Sequence, residues 1–136
     1  MGFPLQPDNW SPFGFHFVGF SRDSNQEPIA KTKLIKIGKV VTTEDYQGIG
    51  CTCPGDSSVV QKLWPGGDSG ASFAVFSLQD AIDYARFLIR TTADYQRFSG
   101  KLPTVGGEID IALVTNYRGF RWISQKSLYR LLEGEG

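Results

Sequence analysis

The sequence predicts an α+β fold, with a small antiparallel or mixed sheet packed on one long helix and a short C-terminal helix. Three observations carry this expectation. Phe13 to Arg22 alternates rings with small or polar residues, which is strand periodicity. Ser77 to Phe98 opens with a capping signal and continues with apolar residues at helical spacing. Glu108 to Thr115 and Phe120 to Ile123 flank the short turn Asn116-Tyr-Arg-Gly119, as in a hairpin.

Taken in order, residues 1–12 hold Pro4, Pro7 and Pro12, a density that forbids regular helix and predicts an extended arm. The strand from Phe13 places Phe13, Phe15 and Phe17 on one face and Gly14, His16 and Val18 on the other, which suits a sheet with one face in the core. Asp23-Ser-Asn-Gln-Glu27 is dense in turn formers and reverses the chain. Ile29 to about Gly38 is the return strand. Its lysines, Lys31, Lys33 and Lys36, with Lys39 just beyond, read as an edge or solvated strand rather than as a phosphate patch. Residues 48–70 form the longest irregular region, a Gly-rich loop of the kind that often binds or covers a ligand. Within it, Val59 to Trp64 has the pattern of a short helical turn.

Ala71 to Phe76 is apolar enough for an interior strand. Ser77 is the expected N-cap of the long helix, with Asp80 in the position of a capping-box acid. Ala81, Tyr84, Ala85, Leu88 and Ile89 make its apolar stripe, and Gly100 marks its end. Lys101 to Gly107 is a connecting loop. Beyond the hairpin, Ser124 is expected to cap a last helix, Gln125 to Leu132.

At 136 residues the chain is expected to be a single domain, 1–136. Its formal net charge of zero argues against a general nucleic-acid binder, whose affinity comes mainly from neutralising phosphates. No secretory signal pattern and no apolar run of membrane-spanning length is present. A cytoplasmic location, or delivery by a specialised secretion route, is therefore expected. Cys51 and Cys53 stand as Cys-Thr-Cys. A disulfide between them would close a small strained ring. With one histidine in the chain, they cannot complete a structural zinc site without carboxylates or a partner chain. The expectation is two reduced thiols in a loop and no metal.

Gly67-Asp-Ser-Gly70 spells the nucleophile loop of trypsin-like serine proteases. That chemistry needs a histidine base oriented by an acid. The only histidine, His16, lies in a strand, and the chain is too short for two six-stranded barrels. A Gly-rich turn is the better reading. A second likeness fits more of the chain. Gly70 to Tyr84, with Phe15-His16 upstream and Glu108 downstream, resembles ADP-ribosyltransferases of the diphtheria-toxin and poly-ADP-ribose polymerase type. The resemblance implies a transferase that moves ADP-ribose from NAD to a macromolecular target. By resemblance, His16 hydrogen-bonds the nicotinamide ribose and Glu108 steadies the oxocarbenium-like transition state. Ser72, Phe73 and Tyr84 fall at the cofactor, with Tyr84 or Phe73 walling the nicotinamide pocket. The chain departs from the family where Phe17-Val18 follow His16 and where Ser72 replaces a stacking tyrosine.

A different class of function is also open. Tyr117, Arg118, Phe120, Arg121 and Trp122 crowd one hairpin, a composition that suits a protein-binding surface or base stacking. On that reading the chain is a non-catalytic binding or inhibitor module with a protein partner. A hairpin with its rings in the core is the plainer alternative.

Overall fold

The structure, a computed structural model, describes residues 13–64, 72–100 and 102–126. The expected N-terminal arm, the Gly67–Gly70 motif and all but the first two residues of the expected helix Gln125 to Leu132 lie outside the described residues. The chain is α+β, with two antiparallel sheets and one long helix. It divides into two compact units at Gly55/Asp56, each described here by itself.

The first unit is a three-stranded sheet in the order β1-β2-β3, with β1 Phe13–Arg22, β2 Pro28–Ile37 and β3 Val41–Gln47. The β1–β2 turn forms because Asp23 organises it. The Asp23 Oδ1 carboxylate accepts from the Asn25 and Glu27 amides at 2.8 and 2.9 Å. Gln26 takes the left-handed conformation that closes it, at φ 64°. β3 is an element the sequence reading left unassigned, although its run of Val and Thr after a Gly38-centred turn is a strand signal. Its presence makes β2 the central strand, so the expectation of an edge is corrected. The lysines are instead matched across the ladder. Lys33 stands opposite Asp45 at 3.7 Å, and Lys36 reaches Glu44 at 3.2 Å. These exposed pairs select register more than they add stability.

The expected core face of β1 is also corrected. Phe13, Phe15 and Phe17 remain 66, 52 and 54% exposed. A single three-stranded layer cannot enclose either of its own faces, and the described residues of this unit supply no second layer.

The second unit carries α1 Ser58–Leu63, a 3-10 turn at Phe73–Val75, α2 Leu78–Phe98, β4 Ile111–Thr115 and β5 Gly119–Ser124. α2 begins and ends where its caps require. The Ser77 hydroxyl accepts from the Asp80 amide, and the Asp80 carboxylate accepts from the Ser77 amide. Gly100 at φ 71° turns the chain away. The expected strand over Ala71–Phe76 is instead the 3-10 turn, leaving Val75 79% exposed. Among the described residues no neighbouring strand pairs with it, and an apolar run without a partner ladder has no reason to stay extended.

Among the described residues, the buried apolar positions of this unit are Val59 and Val60 of α1, Leu88 of α2 and Ile111 of β4. Thr92 and Gln96 continue the Leu88 row at four-residue steps and are equally buried. Two of the three buried positions on α2 are therefore polar, and Ala81, Ala85 and Ile89 of the expected stripe are exposed. β4 and β5 form the expected hairpin, with a bulge between Ile111 and Ala112 and Gly119 at φ 67° closing the turn. Ser124 ends β5 and donates to the Ile109 carbonyl at 3.2 Å.

Candidate functional site

The most ring-rich place in the second unit is centred on Tyr84. Three of the rings around it come from the 3-10 turn, where a strand is expected from the sequence, and from α2: Phe73 and Phe76 bracket the turn, and Phe87 follows Tyr84 by three positions on the same helix face. Phe73 and Phe76 meet Tyr84 edge-on, with centroids at 5.6 and 5.4 Å. Trp64, just past α1, and Phe87 stack on it at 6.0 and 6.2 Å. These are preferred aromatic geometries, each adding about 0.5 to 1.5 kcal/mol beyond area burial. Beside the nest lies an open depression of about 550 Å³ walled by Val75, Phe76, Tyr84, Phe87 and the carboxylate residues Asp80 and Asp83. Aromatic faces with nearby carboxylates suit a flat cation. Both carboxylates are already engaged, Asp80 in the helix cap and Asp83 with Gln79 and Arg86.

Of the five residues picked from sequence, Phe73 and Tyr84 meet here. Ser72 immediately precedes the turn and is exposed. Glu108 is exposed ahead of β4 and follows Gly107 at φ 84°. His16 belongs to the other unit, on β1, where its Nε2 lies 3.3 Å from the Thr52 hydroxyl. That contact ties the Cys51-Thr-Cys53 segment to the sheet. The two sulfurs stand 3.7 Å apart and are not bonded. Desolvation first, then the neighbouring Cys53, pushes the Cys51 thiol up to about 12. Among the described residues no group of three or more His, Cys, Asp or Glu side chains could hold a metal.

A second aromatic group lies on the hairpin. Tyr117, Phe120 and Trp122 are 78, 58 and 48% exposed. Phe120 and Trp122 share one face of β5, their rings edge to face at 5.1 Å, opposite Val114 and Ala112 of β4. Arg118 and Arg121 flank them and are exposed. The plainer alternative, with these rings in the core, does not hold.

Sequence reasoning missed one polar cluster. The Gln96 side-chain amide donates to Asp56 Oδ2 at 2.9 Å and to the Thr104 hydroxyl at 3.0 Å. Its oxygen accepts from the Thr104 and Val105 amides, each at 2.9 Å. The Thr104 hydroxyl donates to Asp56 at 2.6 Å, and Ser58 donates to the same carboxylate from hydroxyl and amide. Hydrogen bonds from Thr104 first, then from Ser58, hold the Asp56 carboxyl down to about 2. The cluster fastens the loop after α2 to the start of α1. Its one visible signal is Asp56-Ser-Ser58 before an apolar pair, a helix-start pattern.

Among the described residues, no helix is long and apolar enough to cross a membrane. Comparison with protein-family models, with curated proteins and with solved structures found no match.

Proposed function

We propose that this chain acts by binding another protein through the basic-aromatic hairpin at 117–122. One observation carries the reading. Tyr117, Phe120 and Trp122 hold their rings in solvent, and Arg118 in the turn and Arg121 on β5, between Phe120 and Trp122 in sequence, are exposed as well. Tyr, Trp and Arg are the residues that dominate binding energy at protein interfaces, because they offer large rigid area with a polar end. Two exposed guanidinium groups favour a partner surface that presents carboxylates.

The test is affinity capture from extract with a photo-crosslinking residue at Tyr117, followed by measured binding of the captured partner. Trp122→Ala should weaken that binding at least tenfold, and Arg121→Ala should weaken it in a salt-dependent way. A partner crosslinked at Tyr117 whose affinity is unchanged in both variants would refute the reading.

A second reading is ADP-ribosyl transfer from NAD, or a degenerate relative of that activity. In its favour, Phe73 and Tyr84 come together beside a depression edged by carboxylates, a setting that suits the cationic nicotinamide ring. Glu108 would stabilise positive charge developing at the ribose carbon, and His16 would hold the ribose. Labelled NAD incubated with the protein and cell extract tests it. Transfer that disappears in Glu108→Gln and His16→Ala supports it, and absence of both NAD binding and transfer by the wild type eliminates it.

A further inference from the structure

The geometry points to a zinc ion held between two copies of this chain by Cys51 and Cys53 of each. The two sulfurs are 3.7 Å apart without a bond between them. A tetrahedral thiolate site with metal–sulfur bonds of about 2.3 Å has sulfur–sulfur edges of about 3.8 Å. The pair is thus already spaced as one edge of such a tetrahedron. Thr52, between them, is held 3.3 Å from His16 of β1, which anchors the segment with the dithiol on it. Cys51 is exposed and Cys53 half-buried, so a metal can reach both.

Among the described residues, one chain brings two ligands together here. It has two cysteines and one histidine, and among the described residues no cluster of three or more ligating side chains exists. Structural zinc takes four. The vacancy is filled most simply by the same dithiol from a second copy, because a two-fold axis through the ion turns two thiolates into four. Each thiol releases its proton to solvent as it binds the ion. The expectation of two plain reduced thiols describes the chain taken alone.

The experiment uses the full chain, reduced, with zinc chloride as the only added metal. Light scattering after size exclusion should show the mass double, and metal analysis should give one zinc per two chains. Chelation should return the monomer. Cys51→Ser and Cys53→Ser should each lose both effects while keeping the circular dichroism of the parent. Trp122→Ala should still bind zinc, which keeps this site distinct from the hairpin. Cobalt substituted for zinc in the unaltered chain should give the absorption of a tetrahedral thiolate site, a readout independent of any variant. Failure of the reduced chain to retain zinc overturns the proposal. So does one zinc per chain without a change of mass, or zinc-driven doubling that survives loss of both thiols.

Discussion

Gln96 is a neutral polar side chain at a buried position, 5% exposed, and every polar atom of its amide is used. That is the condition under which a buried amide stabilises rather than costs. Removing it orphans the Thr104 and Val105 amides together. Gln96→Ala is therefore expected to lose about 2 to 3 kcal/mol, read from urea unfolding. Asp56 adds a pH dependence to the same cluster. Its folded value, about 2, lies below the ordinary 3.8. A depressed carboxyl contributes stability above the ordinary value, and that contribution is lost as pH falls from about 4 through 2. Melting temperatures between pH 6 and 2 should fall more steeply for the wild type than for Asp56→Asn, which lacks this titration. Equal slopes would show that the Asp56 bonds do not depend on charge.

At the scale of elements, α2 is governed by local chemistry. The Ser77–Asp80 box satisfies amides that the first turn leaves open, and Gly100 accepts a backbone conformation that carries strain for other residues. Ser77→Ala should cost about 1 kcal/mol, with faster amide exchange confined to the first turn of the helix. A loss spread evenly along α2 would contradict a capping role. These features were legible because capping depends on residues within four positions of one another. The fate of Ala71 to Phe76 was not legible. An apolar run becomes a strand only when a neighbour offers a ladder, and here the rings of Phe73 and Phe76 turn to Tyr84 instead. β3 was missed for the converse reason. Its opening Val41-Thr-Thr43 is a strand signal, but Glu44, Asp45 and Gln47 dilute it, and pairing with β2 decides the outcome.

Over the whole molecule, little large apolar surface is enclosed among the described residues, and aromatic side chains stand in solvent in both units. On β1, Phe15 and Phe17 lie with ring centroids 6.4 Å apart and are each about half exposed. Because they are not core, the double substitution Phe15→Ser with Phe17→Ser should change unfolding stability by no more than about 1 kcal/mol. It should also lower the fluorescence of a hydrophobic surface dye. A large loss of stability would mean that this face is covered in the folded chain. Of the sequence-picked site, the Phe73–Tyr84 contact follows from local spacing around the helix start. The grouping of His16 and Glu108 was carried by resemblance, and the two belong to different units.

The sequence by itself determined the alternation of β1, the Asp23 turn, both ends of α2 and the 116–119 turn. All of these rest on residues that meet within a few positions. Tertiary structure decided the rest. It made β2 central, folded 73–75 into a 3-10 turn, left the aromatic faces of β1 and the hairpin exposed, and joined Asp56, Gln96 and Thr104 across up to 48 positions of chain. The physical reason is that exposure and polar satisfaction depend on which surfaces meet. Local propensity and periodicity do not encode that choice.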